Sequence, residues 1–472
     1  MPEVITAHTD PGSPDPAPDA KAPVVRPAIV TPNCSLRMGG EAALPFHFFR
    51  VLRARGVDVQ LVTHARNRAE LEKAWPDEAG RIHYAADGWL HRLLYRLCTA
   101  LPERVARASF GIAAEFHTER QQRRILRQLV REGRINLIHR PIPVSPVQPS
   151  LIHGLGVPVI FGPLNGGMDY PPGFRRNENP LERLVVRLGR TFGGIANFIF
   201  PGKRKAAAIL VANRRSRDVL PRAVRTGRSV IELPENGVDL PLWQSHAGAA
   251  GGAADGPVRF VFLGRLVDWK AVDLLLDAWA TARQRGLRDA VLEIIGDGPM
   301  MPSLKQKCAA LGLGDDVEFA GWQPQAEAAR RLARAGALVL PSLLECGGAV
   351  VLEAMAAGLP VIAAKWGGPT DYLTDESGIL IDPLDQESFV NAFADAILRL
   401  AGSPELRQRM GAAGRERVAR FYDWDRKGEL MLEIYAGALH GAPEGAAPLG
   451  RGRDSGVPVA AVAGAARGAK VD

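Results

Sequence analysis

The sequence predicts an α/β protein built from two doubly wound, Rossmann-like domains. Three observations lead there. Short apolar runs alternate with helical stretches along nearly the whole chain. The alternation is broken once, by a Gly and Ala stretch from His246 to Gly256 without periodicity. At 472 residues, with 46% hydrophobic residues, the chain can bury more than one sizeable core.

The first 26 residues, rich in Pro, Asp and Ala, lack the apolar content to pack and are expected to be a disordered tail. Ala28-Ile29-Val30-Thr31 then reads as a strand, followed by a loop to Gly40 and a helix from Glu41 to Arg55 whose Pro45 is tolerated in a first turn. With the strand Val59 to Thr63, the chain opens as β-loop-α-β, and Gly39-Gly40 lies at the loop-to-helix junction. The dinucleotide fingerprint GxGxxG is missing: Gly296-Asp297-Gly298 has Met301 where the third glycine belongs, which disfavours a nicotinamide dehydrogenase.

From Trp89 to Arg134 the chain turns helical and basic, with Leu90, Leu93, Leu94 and Leu97 at helical spacing. Two readings stay open for this stretch, a face on the protein's own core or a surface that meets anionic lipid. Asn136 to His139 and Val157 to Phe161 read as buried strands, and the second leads into the loop Gly162 to Met168. A glycine-rich loop at a strand's carboxyl end sits where α/β folds bind ligands, so Asn165, Gly166, Gly167 and, less directly, His139 are candidates for the side of an acceptor substrate. Another apolar and basic segment, Val186 to Lys205, precedes the strand Ala208 to Asn213, taken as the last of its domain.

The second half repeats the pattern through Phe260 to Leu263, Val291 to Ile295, Val317 to Phe319 and Val339 to Pro341. The boundaries expected are 27–235 for the first domain, completed by a closing helix over 425–440, and 236–424 for the second, with a disordered tail over 441–472. In the last βαβ unit, Gly347-Gly348 opens a helix, leaving N–H groups free to meet an anion at the positive end of its dipole. Glu345 and Glu353 bracket that point, with Glu353 about 7.5 Å along the helix. Carboxylates repel phosphate, so as ligands they suit hydroxyl donors such as ribose and hexose; as bland alternatives they are solvated glutamates at a helix start.

Four cysteines without CxxC or metal-ligand spacing suggest a reducing compartment. Residues 1–23 lack the charged start and apolar core of a signal peptide, so a cytoplasmic location is expected. The net charge of +8 fits anionic ligands, nucleic acid or an acidic membrane surface without choosing among them.

Five ordered motifs together resemble the retaining glycosyltransferases of family 4, which have the two-domain GT-B fold. They are Asn236-Gly237-Val238-Asp239, Gly264-Arg265-Leu266 with Lys270, Gly296-Asp297-Gly298-Pro299, Phe319-Ala320-Gly321, and Glu345-x7-Glu353 running on to Gly358-x-Pro360. The resemblance covers nearly everything between the tails. It implies that Glu345 contacts the donor sugar, Glu353 the ribose hydroxyls, and Arg265 and Lys270 the diphosphate. Gly347, Gly348, Gly296, Trp322 and the opposing Gly39-Gly40 loop complete the donor side. Two cations and a helix N-terminus can meet the charge of a departing diphosphate, so no metal and no cofactor are expected.

Many family members carry a His in the loop after the strand that here ends at Phe161. This chain has Gly162-Pro163-Leu164-Asn165-Gly166-Gly167, so acceptor contacts do not transfer. The implied partners are a nucleotide sugar, a glycan or polyprenyl-linked acceptor in polysaccharide synthesis, and an anionic membrane surface on the cytoplasmic face, but no nucleic acid. The alternatives are a sugar-nucleotide epimerase, a transferase to a soluble sugar acceptor, or a catalytically silent carbohydrate-binding or assembly protein.

Overall fold

The computed structural model describes residues 24–99, 111–177, 180–226, 229–244, 256–441 and 461–462. The expected leading tail as far as residue 23, most of the expected Gly and Ala linker, and residues 100–110 of the basic helical stretch lie outside them.

The first sheet is parallel in the order β7-β6-β5-β4-β1-β2-β3, formed by Pro27–Val30 (β1), Gln60–His64 (β2), Ile82–Ala85 (β3), Leu137–Arg140 (β4), Val159–Leu164 (β5), Ala208–Val211 (β6) and Ser229–Glu232 (β7). β3 and β7 were not read from the sequence, and β7 removes β6 from its expected place as the last strand. Both are four-residue strands only partly buried, so they lack the continuous apolar run that marks the central ones. Most of the tail expected to be disordered from residue 441 lies outside the described residues, and its Ala461–Val462 pair antiparallel with β7.

β5 also runs farther than expected, through Gly162 and Pro163 to Leu164. Gly162 takes φ +103°, and a Cβ there would stand 2.2 Å from the Leu210 carbonyl oxygen of β6, so the close approach of two strands requires glycine.

The second sheet is parallel in the order β10-β9-β8-β11-β12-β13, formed by Val258–Leu263 (β8), Ala290–Ile295 (β9), Val317–Gly321 (β10), Ala337–Leu340 (β11), Val361–Ala364 (β12) and Gly378–Ile381 (β13). Strand order reverses between β8 and β11, which puts a crevice outside their carboxyl ends. The loops carrying Arg265 and Glu345 leave from those two ends.

Helix Gly40–Ala54 buries Phe48, Phe49, Val51 and Leu52 on one face of the first sheet, each worth about 1.5–3 kcal/mol. The closing helix Trp424–Leu439 adds Trp424, Met431 and Tyr435 to that same cluster. The chain therefore returns from the second sheet to the first, and Val238 and Asp423 pair side by side where the two crossings meet. A first-sheet segment reaches the other way, with Tyr170 and Phe174 packing in the second core against Phe389.

Candidate functional site

The site assembles at the crevice between β8 and β11. β8 ends at Leu263, and the following turn is locked to its neighbour: Gly264 donates its N–H to Ile295, Leu266 to Asp297, and Met300 to Leu266. A Cβ at Gly296, whose φ is +145°, would stand 1.9 Å from the Gly264 carbonyl oxygen. Gly296 is thus used for close packing of two loops. The turn delivers Asp268-Trp269-Lys270, and Leu343 donates to the Trp269 carbonyl (2.8 Å), which joins the Lys270 turn to the loop after β11.

In that loop Glu345 pairs with the ammonium of Lys270, both largely buried. Gly348 adopts a left-handed conformation (φ +67°) as the residue before helix Ala349–Ala356, which begins one residue later than the sequence suggests. The loop is held on both sides. A Cβ on Gly367 would meet the Glu345 carbonyl oxygen at 2.3 Å, one on Gly368 the Gly347 carbonyl oxygen at 2.4 Å, and one on Gly347 the Asn236 amide nitrogen at 2.4 Å. Glu353, on the second turn of the helix, has no hydrogen-bond partner among the described residues, and burial alone pushes its carboxyl up to about 7. Trp322 follows the carboxyl end of β10 and is 65% exposed. Gly39 (φ +97°) and Gly40 have open space where a Cβ would be, at the carboxyl side of β1.

Two acceptor-side candidates need correction. His139 is fully buried. Its Nε2 lies 2.6 Å from the Gly162 carbonyl oxygen and its Nδ1 2.7 Å from the Tyr435 hydroxyl, so both nitrogens are spent on the protein. Burial lowers its pKa to about 4. It ties β4 to the closing helix and presents nothing to a substrate. Asn165 is 3% exposed. Its amide donates to the Glu235 carboxylate and to the Cys346 carbonyl (2.9 Å), and its Oδ1 accepts from Ser216 (3.1 Å). The residue placed with the acceptor therefore touches the loop that carries Glu345.

Gly166 and Gly167 are required by packing, since a Cβ would lie 2.7 Å from Pro146 and 2.8 Å from Val219 respectively. Sequence reasoning missed Glu235, Gly367 and Gly368 altogether. The run Gly367-Gly368-Pro369 after a buried strand was the available signal.

Among the described residues, His64, Asp87 and His91 gather as metal-ligating types at the ends of β2 and β3. The two imidazoles lie 4.3 Å apart with planes at 31°, and His64 Nδ1 accepts the Arg66 N–H (3.2 Å). The candidate ligand atoms of the three residues lie within 4.8 Å of one another, and His64 Nε2 and His91 Nδ1 are buried without a hydrogen-bond partner among the described residues.

Residues 249–417 match the family model for glycosyl transferases group 1. A D-inositol 3-phosphate glycosyltransferase of Saccharomonospora viridis is 34% identical over 47% of this chain and 52% of its own length. A GDP-mannose-dependent alpha-(1-6)-phosphatidylinositol monomannoside mannosyltransferase of Mycolicibacterium smegmatis is 32% identical over 39% of this chain and 49% of its own. The chain thus spans about half the length of these curated relatives. Among solved structures, HepE of Anabaena in complex with UDP is similar with a TM-score of 0.57 at 16% identity, over 88% of this chain and 100% of that one, which is a likeness of fold. The paired sheets thus have the GT-B fold, and residues 249–417 are those that resemble the glycosyl transferases group 1.

Proposed function

We propose that this protein is a retaining, metal-independent hexosyltransferase that moves a sugar from a nucleotide sugar to a hydroxyl of a lipid-linked or surface-polysaccharide intermediate. The observation that carries the reading is the pair Glu345 and Glu353 on either side of a helix N-terminus at the switch-point crevice, with Lys270 and Arg265 in the adjoining turn. A diphosphate at that N-terminus meets the N–H groups of the first turn and the two cations, which oppose the charge growing on the leaving group. Glu353, short of a hydrogen-bond partner, suits a ribose that brings hydroxyl donors to it. Glu345, held by Lys270, suits the sugar hydroxyls at the reacting end. Trp322 offers an exposed ring on which a base can stack.

The relatives' names favour a polyol or lipid-borne acceptor, since one is named for an inositol phosphate and another for a phosphatidylinositol mannoside. A soluble acceptor is the second reading, favoured by the first of those names.

The test is a thermal-shift screen against nucleotide sugars, followed by donor hydrolysis with and without EDTA. A ligand bound only by the folded chain raises its melting temperature. Retention follows from the product's anomeric NMR signals. No shift with any nucleotide sugar would sink the reading, and turnover abolished by EDTA and restored by Mg²⁺ would sink its metal-free form.

A further inference from the structure

We infer that Asn165 and Glu235 are positioning residues of the transferase site, a latch through which the first domain sets the loop carrying Glu345. This rests on the donor reading of that loop and adds to it two residues that touch no ligand in that reading.

The geometry is specific. Asn165 stands at the carboxyl end of β5, and its backbone N–H is fixed by the Val144 carbonyl (2.7 Å). Its Oδ1 faces Ser216 (3.1 Å) and Arg215 (3.4 Å), so the amide's orientation is determined: the NH₂ points the other way, across to the second domain. There it donates twice, to the Glu235 carboxylate and to the Cys346 carbonyl, which is the peptide between Glu345's neighbour and Gly347. Glu235 is itself 5% exposed and lies under the same peptide, since a Cβ on Gly347 would stand 3.0 Å from its Oε2.

Three carbonyls around Glu235, those of Pro234, Glu235 and Asn236, accept from the Lys427 ammonium at 2.6, 2.9 and 2.7 Å, so the support is anchored to the closing helix. On the opposite side Gly368 donates to the Glu345 carbonyl (2.7 Å). The loop is thus held from below by first-domain and hinge residues, and a donor site with Gly347-Gly348 at its centre keeps its shape only while they are in place. Burial pushes the Glu235 carboxyl up to about 7, so a neutral amide is a fair replacement for it.

The experiment measures calorimetric affinity for UDP, GDP and ADP on the full chain, using whichever wild type binds. Asn165→Ala and Glu235→Ala should each weaken binding at least tenfold. Glu235→Gln, which keeps an oxygen for the Asn165 amide, should stay within twofold. Gly347→Ala, whose methyl would push the loop off Asn236 and Glu235, should be as weak as Asn165→Ala, and it decides the matter if Asn165→Ala does not fold. Donor turnover should fall in the same order while far-UV circular dichroism stays unchanged. Alanine variants within twofold of wild type, or Glu235→Gln as weak as Glu235→Ala, would overturn the inference. A wild type that binds no diphosphate fails the donor reading instead, so the two failures are told apart.

Discussion

At the scale of single residues, the proposed reading divides the site between groups turned toward ligands and groups held by the protein, and each kind predicts a different experiment. Arg265→Ala and Lys270→Ala should each weaken diphosphate binding roughly tenfold to a hundredfold, because a charge-assisted hydrogen bond in such a site is worth about 1.5–3 kcal/mol. Unchanged calorimetric affinity in both variants contradicts the cation assignment. Glu353 gives a pH prediction. Folding raises its pKa from 4.5 to about 7, so the folded chain keeps a proton there that the unfolded chain has already released. Stability from this group is fully present below pH 4.5 and is lost as the pH rises through about 7. Glu353→Gln, always neutral, should match wild type in acid and exceed it by on the order of 2 kcal/mol at alkaline pH, while binding donor less well. Urea midpoints across the pH range would show the gap opening, and a constant gap is the contrary result. The motifs singled out Lys270, Glu345 and Glu353 in the sequence through residue type and spacing, and the structure brings them to one crevice, with Lys270 paired to Glu345. Asn165 was visible as a residue but not in its role, since its partners Glu235 and Cys346 lie 70 and 181 positions away.

At the scale of elements, what the sequence displays depends on how fully an element is buried. β1, β2, β4, β5 and β6 are buried along their whole length and stand out as apolar runs. β3 and β7 have intermediate positions and do not. Pro45 falls farther into its helix than a first turn, because the helix begins at Gly40, and it costs the Glu41 carbonyl its helical partner. The closing helix shows how one side chain can hold two elements together. Lys427 is buried, its pKa lowered to about 7 by burial, and it serves three carbonyls of the segment between the sheets. Lys427→Met keeps the apolar stem and removes all three donations, leaving buried carbonyls at about 1–3 kcal/mol apiece before relaxation. A loss of roughly 3 kcal/mol in unfolding free energy is the expected outcome. A denaturation midpoint within error of wild type would mean that these contacts add nothing net.

At the scale of the whole molecule, the chain carries a net charge of +8 and leaves two sets of large apolar side chains in water. Trp89, Leu93 and Leu97 are 72%, 45% and 38% exposed on helix Trp89–Thr99. On helix Pro180–Ile199, Phe192, Ile195, Phe198 and Ile199 are 57%, 56%, 67% and 60% exposed. The second set recurs every three to four residues and so forms one stripe. The sequence left open whether such stretches face the core or a lipid surface. For these seven side chains the core is excluded by their exposure. No helix among the described residues is long and apolar enough to cross a membrane, and an exposed stripe of this kind beside cations is the pattern of a helix that lies along an anionic surface. Arg204 stands beside it, its guanidinium carbon 4.7 Å from the Phe198 ring centroid, where a cation can meet a lipid phosphate while the ring enters the acyl boundary. An acceptor carried on a lipid would then be met at the surface where it resides. We predict that the full chain floats with vesicles containing anionic phospholipid and leaves neutral ones, because each cation near such a surface adds about 1 kcal/mol. High salt should release it, since the attraction is screened within a Debye length. Ile195→Ser combined with Phe198→Ser should release it at low salt as well, because each apolar side chain withdrawn from water contributes about 1.5–3 kcal/mol. Equal flotation on neutral and anionic vesicles would remove the charge from the argument, and a double variant that floats like wild type would remove the stripe.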